Sequence, residues 1–131
     1  MTAFEVGDVV SVEFPFSDLQ TRKRRPGLVL VSGDVDLLVA RNTTHPPRET
    51  SDVQLKGWFE AGLPRASTIR LTKLATLDHR LVHHKIGHLQ PDDARAVAQA
   101  WQQMTTTLAA DCRSEHPPPY VEKGSEEDGN R

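Results

Sequence analysis

The stretch GLVLVS, Gly27–Ser32, does most to limit what this chain can fold into. It is a continuous apolar run of strand length, preceded by Pro26 and followed by the turn signal Gly33-Asp34. Such a run reads as a strand buried on both faces. DLLVARNT, Asp36–Thr43, comes directly after the turn, so the two segments predict an antiparallel hairpin. Around it the punctuation is equally dense. Gly7-Asp8 opens a strand carrying Val9, Val10, Val12 and Phe14, which Pro15 ends, and Phe16–Arg25 reads as a polar loop. Two consecutive prolines exclude regular structure over His45–Glu49. Asp52–Leu55 reads as a short strand, and Lys56–Ala66 as a loop anchored by Trp58 and Phe59. Ser67–Leu71 alternates like a strand. Leu71, Leu74 and Leu77 stand at helical spacing and predict a single turn of helix, and Val82–Leu89 predicts an edge strand.

One long helix stands out. Pro91 suits the first helical position, and Asp92 and Asp93 complement the positive end of the macrodipole. Ala94, Val97, Ala98, Trp101, Met104 and Leu108 form one apolar stripe, which predicts a helix to about Ala110 packed on the sheet. The remainder, 111–131, is Pro-rich and acidic, with three Lys/Arg against six Asp/Glu, and reads as a disordered tail. The division is therefore a domain over 1–110 and a tail over 111–131, in a mainly β fold with a short peripheral helix and a C-terminal α-helix.

The body carries a net charge of about +1 and the tail −3, out of a total of −2. Any nucleic acid must then be bound by a focused basic patch and not by a global field. No apolar run reaches the length of a membrane span, and the N-terminus has no signal-peptide pattern, which points to the cytoplasm. The single cysteine, Cys112, cannot form an internal disulfide and lies at the tail boundary, so it is set aside as a nucleophile.

Two polar clusters remain. Arg22-Lys23-Arg24-Arg25 immediately precedes the proline at the head of the buried strand. A charge run is commonly a solvated loop, but Arg25 is held extended by the proline after it, and an arginine fork matches phosphate oxygens. Arg41-Asn42-Thr43-Thr44 closes the next strand, where threonine hydroxyls commonly bond turn amides. In a hairpin, Arg25 and Thr43 both lie at the end away from the turn, so the two clusters converge on one rim. His79, His83, His84 and His88 invite comparison with a metal site, but Gly87 and the β-branched Val82 and Ile86 oppose a helix, and no carboxylate or cysteine pattern completes a zinc set. They read as surface residues.

The succession GDVV, FPFSDL, a basic loop, RRPGLVLVS and DLLVARNTT resembles the PemK/MazF family of toxin endoribonucleases. WFEAGLPRASTIRLTKLATLD, KIGHL and QPDDARAVAQAWQQM continue the likeness, which covers Glu5 to about Ala110. The resemblance implies a small SH3-like β-barrel, usually a homodimer. It also implies metal-independent cleavage of single-stranded RNA without a cofactor, and inhibition by a cognate antitoxin of the MazE/PemI kind. It places the catalytic pair at Arg25 and Thr43. The candidate RNA contacts are Arg22, Lys23, Arg24, Phe16, Asp18, Arg41 and Thr44. Asn42 stands where the family usually has an apolar residue, and Arg41 adds a charge beside it. Two other readings are a non-catalytic SH3-like module that binds nucleic acid or antitoxin, and a metal hydrolase built on the histidines.

Overall fold

The computed structural model describes residues 4–13 and 24–112. Phe16, Asp18, Arg22, Lys23 and the tail beyond Cys112 lie outside the described residues. Strands β1 (Asp8–Glu13), β2 (Arg24–Ser32), β3 (Asp36–Thr43), β4 (Asp52–Gln54), β5 (Thr68–Asp78) and β6 (His84–His88) form one antiparallel sheet in the order β4-β5-β3-β2-β1-β6. Helix α1 (Pro91–Cys112) follows. The β2–β3 hairpin turns where the sequence predicts, with the Gly33 amide donating to the Asp36 carbonyl at 2.9 Å. β6 occupies the expected edge.

Several elements differ from the sequence expectation. β2 begins at Arg24, two residues ahead of Pro26, because β1 supplies partners: Val12 faces Arg25 and Glu13 faces Arg24. Its burial is also one-ended, since Gly27, Leu28 and Val29 are buried while Val31 is exposed. Leu71, Leu74 and Leu77 lie in β5 and not in a helix. Ala40 pairs with Leu74 and Arg41 with Arg70, so three residues of β5 bulge at this point. A bulge breaks the two-residue alternation, so Leu71 and Leu74 meet the same cluster at a three-residue, helix-like spacing, while Leu77 faces the other cluster. The short peripheral helix lies later, as a 3-10 turn over His79–Leu81 capped by Asp78.

Side chains on the two faces of the curled sheet form two apolar clusters. Val9, Leu28, Ala40, Ile69 and Leu71 pack with Val97 and Ala100 of α1, and Val10, Val12, Val29, Leu37, Val39 and Leu77 pack on the other face. The helix stripe is met in part, with Val97, Trp101 and Met104 packing on the sheet as expected. Asp93, Val97 and Ala100 are buried, while Ala94, Ala98 and Leu108 are exposed. Buried Asp93 uses its carboxylate to accept the amides of Lys56 (3.0 Å) and Gly57 (2.8 Å), pinning the 55–67 connection to the helix. Phe59 is 73% exposed and anchors nothing in the core, whereas Ala61 and Leu63 are buried. Among the described residues no ladder joins β4 to β6, so the barrel is not closed by hydrogen bonds. The 55–67 connection instead lies across β6, close enough that a Cβ on Gly87 would stand 1.9 Å from the Ala61 carbonyl oxygen.

Beside Gly87 at the same end of β6, the buried Asp8 carboxylate accepts from the Glu5 amide (2.8 Å), His88 Nδ1 (2.9 Å) and Lys85 Nζ (3.2 Å). Burial pushes its pKa up, but the Glu5 amide, His88 and Lys85 together more than offset that, and it falls below the ordinary 3.8. A depressed carboxyl stabilises the fold above its unfolded pKa, and the contribution is lost as pH falls through the folded one. Asp8→Asn is therefore expected to cost about 2 kcal/mol at pH 7. In chemical denaturation the gap from the wild type should narrow as the pH drops below 3.8. A gap that stays constant through acid would show that the charge contributes nothing.

Candidate active site

Arg25 owes its place to the ladder on which it sits. Gly27 pairs with Arg41, and carrying that register two residues further sets Arg25 opposite Thr43. The rim convergence expected from the hairpin is thus realised. Arg25, Pro26, Arg41, Asn42, Thr43 and Thr44 line one pocket of about 190 Å³. His45 and the loop residues Leu63, Pro64, Arg65 and Ser67 complete it. Arg24 opens β2 opposite Glu13, exposed and outside the lining.

Three features give the pocket its chemistry. The first is an excess of unpaired cations. Arg70 is tied to Asp52 (3.4 Å) and Glu49 (3.5 Å), but Arg25 and Arg41 make no ion pair among the described residues. Burial, then the charges of Arg25 and Arg70, depress the pKa of Arg41. Unrelieved like charge of this kind favours an anion.

The second feature is polar frustration. Among the described residues, the buried side-chain atoms without a hydrogen-bond partner are Arg25 Nε, Arg41 Nε and Asn42 Oδ1, and all three residues line this pocket. Buried polar groups are nearly always satisfied in folded proteins, so the two guanidinium nitrogens, on the sheet face that Arg25 and Arg41 share with Thr43, mark a place suited to an anion, while Asn42 alternates to the opposite face, where it pairs with Ile69. The third is the orientation of Thr43. Its Oγ1 accepts the His45 amide at 3.2 Å, which leaves the hydroxyl hydrogen free to donate into the pocket. Among the described residues the lining contains no Asp, Glu or Cys, so these donors suit an anion better than a metal.

Sequence reasoning missed Arg65 and Ser67. Arg65 stood in a loop read for its glycines, its proline and its Trp58 and Phe59 anchors. Its carbonyl accepts the Ser67 hydroxyl at 2.8 Å, which holds that loop at the mouth. The histidines disperse. His79 bonds the Gly33 carbonyl, His83 lies 3.5 Å from Glu13, His88 bonds Asp8, and His84 is exposed. Among the described residues no group of three His, Cys, Asp or Glu is placed to hold a metal.

The family described as PemK-like, MazF-like toxin of type II toxin-antitoxin system matches residues 5–105. The chain belongs to that family. Solved structures agree on the family's fold. MazF (Form-I) from Deinococcus radiodurans is 18% identical with a TM-score of 0.63, over 81% of this chain and 99% of that one. An endoribonuclease from Mycobacterial species is 18% identical with a TM-score of 0.59, over 89% and 98%. An endoribonuclease in complex with its cognate antitoxin, also from Mycobacterial species, is 15% identical with a TM-score of 0.57, over 72% and 86%. No curated protein matches by sequence.

Proposed function

We propose that this toxin-family chain is a metal-independent endoribonuclease that cleaves single-stranded RNA at the Arg25–Thr43 pocket. The observation that carries the reading is the pair of Arg25 and Arg41 guanidinium nitrogens that are unpartnered among the described residues, whose share of the lining holds no acid. RNA supplies its own nucleophile. The 2′-oxygen bonds to phosphorus while the P–O5′ bond breaks, giving a 2′,3′-cyclic phosphate and a 5′-hydroxyl. The 2′ proton leaves to a base, and the 5′-oxygen gains one. Negative charge builds on the non-bridging oxygens of the phosphorane, and fixed donors aimed at them lower the barrier. Arg25 and Arg41 supply charged forks, and Thr43 supplies the hydroxyl. His45 is the imidazole in the lining and the candidate proton acceptor. A guanidinium at its normal pKa is a poor base.

The same reading makes the chain the cytoplasmic toxin of a toxin-antitoxin pair, acting as a homodimer and restrained by a small acidic antitoxin. An open apolar groove of about 310 Å³ between β2 and α1, lined by Leu28, Leu30, Ala94, Val97 and Trp101 among others, gives a protein partner a surface to cover. No helix among the described residues is long and apolar enough to cross a membrane.

Purified protein incubated with mixed-sequence single-stranded RNA in EDTA is expected to yield discrete fragments ending in cyclic phosphate, resolved on a sequencing gel. RNA or antitoxin binding with intact RNA would instead identify a non-catalytic binding module. Cleavage only after metal is restored would remove the metal-independent mechanism.

A further inference from the structure

We infer that Arg70 is a positioning residue of the pocket: it occupies the carboxylates of Asp52 and Glu49 and so leaves the neighbouring Arg41 available to an RNA phosphate. The inference rests on the reading of the Arg25–Thr43 pocket as the RNA site and adds the residue that keeps one of its cations unpaired.

Strand register sets these groups in one row. Gly27 of β2 pairs with Arg41 of β3, Arg41 with Arg70 of β5, and Arg70 with Asp52 of β4. Residues directly opposed in a sheet share a face, so two arginines stand side by side with a carboxylate beyond them. Like charges so placed destabilise a sheet. Here one of the two is neutralised and the other is not. Asp52, its side chain 1% exposed, meets Arg70 Nε through Oδ1 (3.4 Å) and accepts the Arg48 and Glu49 amides on Oδ2 (2.8 and 3.2 Å). Glu49 meets Arg70 Nη2 through Oε2 (3.5 Å) and accepts the Thr72 hydroxyl on Oε1 (3.2 Å). Arg41 makes no ion pair among the described residues, and its buried Nε is unpartnered there.

Neighbouring strands lie ~4.8 Å apart, so Asp52 is two strands, or ~10 Å, from the Arg41 backbone. An arginine and a carboxylate turned toward each other close such a gap. Arg70 stands between them, and its planar fork engages both acids at once, as a point-like ammonium does not. Take that fork away and Asp52 Oδ1 and Glu49 Oε2 each lose a cation, while the unpaired cation on the adjoining strand is Arg41. An internal ion pair then competes with the phosphate for one guanidinium. Among the described residues Arg70 is not part of the pocket lining, and its charge is already balanced by the two acids. It therefore acts through Arg41 and makes no contact with RNA.

The test is a double-mutant cycle read with a labelled all-deoxy dodecamer, which has phosphates but no 2′-hydroxyl, by fluorescence polarisation. Arg70→Gln is expected to weaken binding about 10-fold, the cost of one charged hydrogen bond, and to lower the single-strand salt slope by about 0.7. In an Arg41→Gln background the same change should cost less than about twofold more, because the residue it acts through is gone. Adding Glu49→Gln and Asp52→Asn to Arg70→Gln should bring binding back to within about threefold of the wild type. Additive losses at Arg70 and Arg41 would overturn the inference, as a direct RNA contact predicts them. A loss that survives removal of both acids would overturn it too, by showing a structural role, and so would wild-type binding in Arg70→Gln. Should Arg70→Gln melt early, Arg70→Lys keeps the charge without the fork. Its loss, about threefold, should be regained with Glu49→Gln, and no regain would overturn the inference. A wild type that binds the dodecamer but cuts no RNA would overturn the ribonuclease reading alone, with the binding cycle still deciding this one.

Discussion

Arg25→Ala is expected to reduce kcat for RNA cleavage by about 10²–10³-fold, the usual cost of deleting one donor aimed at developing negative charge. Folding should be spared. Arg25 makes no ion pair among the described residues, its Nε is unpartnered, and its charge opposes that of Arg41. Removing it relieves repulsion, so the Tm should be unchanged or slightly higher. Arg25→Lys keeps the charge but loses the planar fork, and should recover little of the rate. A fluorogenic RNA assay beside a thermal melt reads all three quantities. Full activity in the alanine variant would remove Arg25 from the chemistry and, with it, the assignment of this pocket. A large fall in Tm would mean that the arginine holds the rim together.

Gly87→Ala is expected to be among the most damaging single-methyl additions. The new Cβ would stand 1.9 Å from the Ala61 carbonyl oxygen and 2.7 Å from its carbon, and both are backbone atoms with no rotamer to yield. Overpacking of this severity costs ~3 kcal/mol, or more than about 10 °C in Tm for a domain of this size. Activity should fall as well, and by more than the lost population of folded protein explains. The displaced segment leads directly to Leu63, Pro64, Arg65 and Ser67, which form one wall of the pocket. Gly33→Ala serves as the comparison. Its Cβ meets only the Asp36 carbonyl oxygen at 3.1 Å, in the turn remote from the site. A Gly87→Ala protein that melts and cleaves like the wild type would show that the 55–67 connection does not seat against β6 in solution.

Legibility in the sequence followed the range of each interaction. The β2–β3 hairpin could be read because its signals are local: an apolar run, a Gly-Asp turn and a second run of matching length. Arg25 and Thr43 could be paired for the same reason, since both ends of a hairpin are fixed once its turn is known. The 71–77 segment could not. The three-residue bulge in β5 is set by its pairing with β3, thirty residues away in the chain, and to a local pattern it looks like a helical period. The helix was correctly begun at Pro91 and packs through Val97, Trp101 and Met104 as read, but Asp93 and Ala100, not Ala94 and Ala98, complete its buried side. Which residues face inward depends on where the Asp93 carboxylate captures the Lys56 and Gly57 amides. Phe59 illustrates the limit of hydrophobicity as a guide, for the smaller Ala61 and Leu63 are the buried anchors of that loop.

The sequence by itself determined the mainly β class, the family, the hairpin and the Arg25–Thr43 rim, because short-range punctuation and ordered motifs survive in one dimension. Only the tertiary structure decided that Arg65 and Ser67 join the wall and that, among the described residues, Arg41 meets no carboxylate and the buried Asn42 Oδ1 no donor. Each of these depends on which polar groups meet across strands and loops distant in the chain. A missing hydrogen bond has no signature in the residue that lacks it.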